Sequence, residues 1–469
     1  MQTNDFSNLP TSWQIKTLGE IYDITSSKRV FKDEWKTDGI PFYRARDLVS
    51  FSKNEPIKNP LFISETMYNE YSSKYGIPLE DDILVTGVGT IGIPYLVKAN
   101  EKFYFKDGNI LWFKKRASNI FSKYVYYLFL SNLLDTNSKG STVLTYTIIN
   151  AKNTKIPLPS LEIQKCIVAR LERAFEKIEK GSAHLQDAKT KLAKYKQSLL
   201  KSAFDGTLFC HTEGEARSIS NQESRDISLT LNMTNSPSLR ESAADKAIHE
   251  SKVDCYDLTS SKLAMTDKEN PKLPQGWTIK TLGEIAQTTS GGTPSRKKLD
   301  YWNGNIKWLK SGELNDNYIN EVEETITQSG LENSSAKIFS KGTLLIALYG
   351  ATIGKLGILN LETSTNQAVC AIMPNKELET KYLFHFLFSI RNKMIKDAFG
   401  GAQSNISQTY LKQIKIPLPP LETQKQIVKL LEKHLQHADK TGEFIESALN
   451  KAKQLKQSLL KSAFLGKLT

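Results

Sequence analysis

Cysteine is scarce in this chain of 469 residues: the four present, Cys166, Cys210, Cys255 and Cys370, are scattered, with no Cys-x-x-Cys pair and no histidine at ligand spacing. Neither a disulfide framework nor a zinc site is suggested, and a reducing, cytoplasmic setting is expected. Long apolar runs are lacking as well. No stretch approaches the roughly 20 residues a membrane span needs, and Met1-Gln-Thr-Asn-Asp-Phe-Ser7 lacks the basic-then-apolar order of a secretory leader. No membrane partner is expected.

Catalytic motifs are equally thin. Gly87-Val-Gly89-Thr-Ile-Gly92 follows a β-type run and fits the dinucleotide-binding glycine pattern. Such a turn must open a helix facing the pyrophosphate, whereas Ile93-Pro-Tyr-Leu-Val97 continues as strand, so a tight β-turn is the reading. The related Tyr349-Gly350-Ala-Thr-Ile-Gly354-Lys355-Leu356 lacks the middle glycine and the Walker spacing. Asn59-Pro-Leu-Phe62 lacks the second proline of an adenine-methylating Asn/Asp-Pro-Pro-aromatic motif. His184, His385, His434 and His437 lie in helix-like segments without a cysteine or carboxylate cluster at metal-binding intervals, so no metal site is expected. A loosely spaced nuclease carboxylate triad stays compatible with the sequence. No catalytic residue is assigned.

What is present is positive charge and repetition. The formal net charge is +13, which suits a polyanionic partner or an acidic protein surface. Lys16-Thr-Leu-Gly-Glu-Ile21 returns as Lys280–Ile285, and Ile156-Pro-Leu-Pro159 with Leu161-Glu162 returns as Ile416-Pro-Leu-Pro419 with Leu421-Glu422. Lys196-Gln-Ser-Leu-Leu-Lys-Ser-Ala-Phe204 recurs letter for letter as Lys456–Phe464, while the middles, roughly 30–150 and 290–405, have drifted apart. One frame carries two different readers.

After each Pro-rich segment the pattern becomes helical. Ile167, Leu171, Ala174, Ile178, Gly181, Leu185, Ala188, Leu192, Tyr195, Leu199 and Ser202 alternate steps of four and three. Ile427, Leu431, His434, Ala438, Thr441, Ile445, Ala448, Ala452, Leu455, Leu459 and Ser462 repeat that heptad register. Each predicts a helix of about 44 residues, roughly 65 Å long, ended by Gly206 or Gly466. Two such seams in a duplicated chain should pair antiparallel about an approximate twofold axis, with one globular domain toward each end. Gly181 and Gly442 then fall near the crossing point, where a close backbone approach, a bend or a merely tolerated glycine are the alternatives.

The predicted class is α+β: two globular mixed α/β domains (1–155 and 272–415), two coiled-coil segments (156–208 and 416–469), and a polar, partly disordered linker (209–271). Candidate polyanion contacts lie near predicted loops. In the first domain they are Lys28, Arg29, Arg44 and Arg46; in the second, Arg296, Lys297, Lys298, Lys307, Lys310, Gln403, Ser404 and Asn405. Cations supply phosphate affinity, while Arg to guanine and Asn or Gln to adenine discriminate bases.

The combined pattern resembles the DNA specificity subunit of type I restriction-modification systems. The likeness rests on Leu9-Pro-Thr-Ser-Trp13 and Leu273-Pro-Gln-Gly-Trp277 opening the halves, the Ile-Pro-Leu-Pro-x-Leu-Glu-x-Gln-Lys segments at 156 and 416, and Ala203-Phe-Asp-Gly-Thr-Leu208 with Ala463-Phe-Leu-Gly-Lys-Leu468. It covers nearly all the chain except 209–271. The resemblance implies two target recognition domains reading a split, asymmetric site on double-stranded DNA, with the coiled coil as spacer ruler. It further implies two modification subunits that use S-adenosylmethionine to methylate adenine at N6, and two restriction subunits that use ATP and Mg. No cofactor and no catalysis are expected in this chain itself. The matched positions mark the scaffold, so base contacts must come from the divergent middles. A free-standing DNA-binding protein and a purely structural coiled-coil scaffold are the alternatives.

Overall fold

The structure, a computed structural model, describes residues 6, 9–134, 136, 145–208, 273–398 and 405–468. The linker expected at 209–271 lies outside the described residues, as do Gln403 and Ser404. The chain divides into two compact units, Met1–Leu185 with Ser447–Thr469, and Gln186–Glu446.

In the first unit, strand Gln14–Thr17 runs antiparallel to Lys155–Leu158, with Lys16 opposite Ile156. The Ile-Pro-Leu-Pro segment is thus a two-stranded clasp, and the helix starts only after it. A single helical turn, Leu18–Ile21, follows the first strand. Glu20 reaches back to accept the Thr17 backbone N–H at 2.6 Å and the Thr17 hydroxyl at 2.9 Å, a reciprocal N-terminal cap. That backbone bond, helped by Lys16, holds the Glu20 carboxyl at about 2. Thr281 and Glu284 repeat the arrangement, which is why Lys-Thr-Leu-Gly-Glu-Ile occurs twice.

A four-stranded sheet, ordered 22–25, 110–115, 83–86 and 94–96, carries the first unit's main core, and a smaller one is ordered 62–63, 40–43 and 104–105. Ile83–Thr86 is buried at every position, as its continuous Ile-Leu-Val run suggests. The second unit has a five-stranded sheet, ordered 288–290, 369–372, 344–347, 356–359 and 317–319. Its second sheet is ordered 324–326, 302–309, 363–365 and 338–339. Each smaller sheet contains one parallel pair: 40–43 beside 104–105, and 302–309 beside 363–365.

The long helices run Leu161–Asp205 and Leu421–Phe464. Every seam position is buried or half-buried; Ile167, Leu171, Leu185, Leu199, Ile427, Leu431 and Ile445 are buried, and Ile178, Leu192, Leu455 and Leu459 half-buried. Within the second unit Lys189 pairs with Glu446 and Lys196 with Asp439. A rise of seven (189 to 196) against a fall of seven (446 to 439) makes the segments antiparallel at heptad spacing. Within the first unit Lys456 meets Glu179 at 2.7 Å, and Arg170 donates to the Leu468 carbonyl, again antiparallel.

Each core is closed by the end of the helix rooted in the other half of the sequence. In the first unit Leu460, Ala463 and Phe464 join Leu18, Ile21, Tyr124 and Ile167, with the Phe464 ring 5.0 Å from Tyr124. In the second, Leu199, Leu200, Ala203 and Phe204 join Leu282, Ile285, Tyr382 and Ile427, with Phe204 5.2 Å from Tyr382. Burying one such phenylalanine contributes about 2–3 kcal/mol, so the nine-letter repeat is a pair of core-closing plugs. Buried Gln164 completes the frame: its amide donates to the Asn119 and Pro159 carbonyls and accepts the Phe121 N–H at 2.9 Å. Gln424 repeats this with Glu377, Pro419 and Glu379.

Gly206 and Gly466 end the plugs with φ of +82° and +72°. The Lys467 N–H donates to the Ser462 carbonyl at 2.9 Å, the closing bond of a left-handed helix stop. A Cβ at Gly206 would stand 2.2 Å from Pro274, and one at Gly466 2.4 Å from Pro10, so the Leu-Pro that opens each half seats on the stop. Gly442 differs, since an added Cβ there meets Leu192 at an ordinary 3.5 Å and no close backbone approach demands it. Gly442→Ala is therefore expected to stabilise the protein by about 1 kcal/mol, and Gly466→Ala to destabilise it by more than that. Scanning calorimetry of the two variants checks both; a melting point raised by Gly466→Ala would contradict the plug account.

Candidate nucleic-acid interface

The parallel strand pair organises the polar loops of each unit. In the first, Phe42 and Tyr43 lie beside Tyr104 and Phe105, and the Lys106 N–H donates to the Tyr43 carbonyl at 2.8 Å. Arg44 and Lys106 therefore leave neighbouring strand ends. Over them folds the 26–29 loop: Ser27 Oγ donates to the Phe105 carbonyl at 2.6 Å, the Lys28 N–H to the Tyr104 hydroxyl at 3.0 Å, and Arg29 Nε to Asp107 at 2.9 Å. Aromatic rings line the cluster, with Lys106 5.7 Å above Trp35 and Lys28 5.5 Å from Tyr75. Cations interleaved with ring faces suit both phosphates and bases.

The second unit repeats the strand-end bond and the loop seated over it. The Asn366 N–H donates to the Leu309 carbonyl at 3.0 Å, as Lys106 does to Tyr43, and the Gly292 N–H donates to the Thr365 carbonyl at 2.8 Å, where Ser27 served Phe105. The Lys310 N–H donates to Glu313 Oε1 at 2.8 Å, as that of Arg44 donates to Asp47 Oδ2 at 2.8 Å. A Cβ at Gly291 would fall 2.1 Å from the Thr365 carbonyl oxygen, so the Gly-Gly of Ser290-Gly-Gly-Thr-Pro294 is what lets this loop lie on the strand end.

Among the sequence-named residues, Lys28, Arg29, Arg44 and Arg46 gather at the first strand end. Arg46 is open, its side chain 60% exposed. Arg44 is not. Its guanidinium grips Asp47 through two bonds, 2.9 and 3.1 Å, and donates to the Asn59 carbonyl, with side chains only 13% and 3% exposed; it holds the turn that presents its neighbours. In the second unit Arg296 stacks 3.7 Å from the Trp302 ring and bonds Glu324 at 2.6 Å. Lys310 lies between Glu323 and Glu324, at 2.8 and 3.0 Å, and these carboxylates raise its pKa. Lys298 reaches the Tyr301 hydroxyl at 2.9 Å, and Lys297 is exposed. Lys307 sits part-way along its strand on the alternating exposed face with Asn303 and Asn305. Asn405 bridges to Tyr349.

Sequence reading missed Trp35, Lys106, Asp107, Thr293, Trp302, Asn366 and Gln367. The Lys106-Asp-Gly-Asn109 turn was a visible signal, but its place beside Arg44 depends on a parallel pairing across some sixty residues. The Gly87–Gly92 segment is a turn between antiparallel strands Ile83–Thr86 and Pro94–Leu96, as the sequence suggested. Among the described residues no helix is long and apolar enough to cross a membrane.

The fold is a duplicated α+β one in which each unit carries an equivalent cluster of polar loops at the end of a parallel strand pair. Comparison with known sequences places it: the type I restriction modification DNA specificity domain matches residues 10–185 and again 274–449, and the chain belongs to that family. The EcoBI specificity subunit of Escherichia coli is 22% identical over 99% of this chain and 88% of its own length. The EcoR124I/EcoR124II specificity subunit of Escherichia coli is 29% identical over 33% of this chain, and the MjaIX specificity subunit of Methanocaldococcus jannaschii 32% identical over 34%. These two matches span only 40% and 38% of those relatives. The fold is shared with the HsdS subunit of Thermoanaerobacter tengcongensis (TM-score 0.57, 18% identity, 98% of each chain). It is also shared with a chain from a structural study of assembly and conformational transition in the type I R-M system (TM-score 0.66, 18% identity, 98% of this chain and 99% of that one).

Removing the Arg44 side chain takes both guanidinium bonds from the buried Asp47 carboxylate and leaves it the residue-44 N–H. Arg44→Ala should cost the first unit about 3 kcal/mol, whereas exposed Lys28→Ala stays within about 0.5 kcal/mol. Urea unfolding followed through Trp112, in that unit's core, distinguishes the two; equal midpoints would return Arg44 to the list of free surface cations.

Proposed function

We propose that this chain is the noncatalytic specificity subunit of a type I restriction-modification complex. Each unit reads one half of a split, asymmetric site on double-stranded DNA, and the paired helices set the length of the unread spacer. The observation that carries this is the repeated strand-end frame bearing different side chains: Arg29, Lys106 and Asp107 in one unit, Thr293, Asn366 and Gln367 in the other. A shared backbone with exchanged polar groups presents two different hydrogen-bonding surfaces, as a non-palindromic target requires. The interleaved cations supply the phosphate affinity that holds each surface in register.

Adenine N6 methylation by two modification subunits using S-adenosylmethionine, and cleavage by two restriction subunits using ATP and Mg, belong on this proposal to the partners. This chain serves them as scaffold. The helices suit a ruler role because their heptad seam is continuous through both sequence repeats, and an inserted turn adds a fixed length of about 5.4 Å.

Replacing residues 9–155 by the corresponding domain of another family member should change one half of the methylated motif and leave the other half and the spacer intact. Methylation mapping in cells carrying the hybrid with its modification subunits checks this. A change in both halves together would contradict modular reading.

A further inference from the structure

Equivalent loops reach equivalent turns in the two units, and the contact made there differs in chemistry. In the first unit Arg29, on the loop over the strand end, donates from Nε to Asp107 Oδ2 at 2.9 Å. In the second, the Thr293 hydroxyl donates to Gln367 Oε1. Asp107 follows Lys106 and Gln367 follows Asn366, the two residues whose N–H groups close the same strand-end bond, so the contacts occupy the same place in the frame.

Each contact leaves a planar side chain oriented and open. Arg29 is 66% exposed while Asp107 is only 14% exposed. The carboxylate takes the Nε edge, and the two Nη groups at the outer end keep the parallel donors that match guanine O6 and N7. Gln367 is exposed. With one lone pair of Oε1 engaged by Thr293, it retains the second lone pair and the Nε2 donors, the pattern that meets adenine N6 and N7. Orienting such a group beforehand lessens the entropy lost on binding.

Resting on the specificity reading above, we propose that Arg29 and Gln367 are the base-reading side chains of the two units, for guanine and adenine respectively, with Asp107 and Thr293 as their positioning partners. Lys28, Lys106 and Arg296 around them serve the phosphates.

The test uses the full chain expressed with its modification subunits, mapping methylated motifs for wild type, Arg29→Lys, Asp107→Asn and Gln367→Ala. The half-site belonging to residues 9–155 is assigned by the domain exchange. Arg29→Lys keeps the charge but loses the fork, and should lower the preference for guanine at one position of that half-site by roughly 5- to 150-fold, with the second half unchanged. Gln367→Ala should do the same for one adenine of the other half-site. Asp107→Asn should relax, more weakly, the same single position as Arg29→Lys, a pattern that general loosening of the unit would not produce. Motifs unchanged in both Arg29→Lys and Gln367→Ala, or relaxed evenly across a half-site, would overturn the assignment. Because the two substitutions lie in different units, misfolding caused by one leaves the other decisive. A wild-type chain that directs no split motif would instead remove the specificity reading, and this assignment with it.

Discussion

The structure depends on hydrophobic closure by a borrowed helix end. Phe464 and its neighbours complete the core around Tyr124, and Phe204 and its neighbours complete the core around Tyr382. Without these plugs each unit would expose its Leu-Gly-Glu-Ile turn and the first helical turns of its own long helix, an apolar area a small domain cannot leave uncovered. The left-handed glycine stops, the prolines seated on them and the buried glutamines Gln164 and Gln424 all serve the same closure. Repetition in the sequence is thus a packing requirement imposed twice.

Closure of this kind frees the remaining surface. Once Gly466 meets Pro10, Gln164 caps the 119–121 turn and the Lys16–Thr17 clasp is paired, the strand-end loops carry no structural load beyond their own anchors. Among those anchors, the bonds from Lys106 N–H to Tyr43 and from Asn366 N–H to Leu309 are backbone to backbone, which any side chain permits, while Ser27, Tyr104, Asp47 and Glu313 anchor through their side chains. Exposed groups outside those anchors, such as Arg29 and Gln367, can therefore change without disturbing the frame. Arg44 and Lys310 mark the limit of that freedom: both are held by carboxylates.

Much of the frame was legible in the sequence because its causes are local or periodic. The heptads from Ile167 and Ile427, the Thr-x-x-Glu caps and the terminal glycines announce themselves within a few residues, and the seam positions are all covered. The destination of the nine-letter repeat was not legible, since nothing local says that Phe464 packs on Tyr124 rather than on its own half. The loop clusters were half visible. Lys28, Arg29 and Arg46 stood out by charge, but Arg44 looked like their equal although Asp47, three residues on, pulls it inward. Asp107 and Gln367 escaped because they gain meaning only from loops some 75 residues distant in sequence.

The central claim, that this chain chooses where a methyltransferase acts, is tested most directly by mapping N6-methyladenine across the genome of a host carrying the gene and of the same host with the gene deleted. The account predicts a split motif, methylated on opposite strands in its two halves, that vanishes on deletion and returns when the full chain is restored. An identical methylation map in both hosts, with the chain expressed, would contradict it.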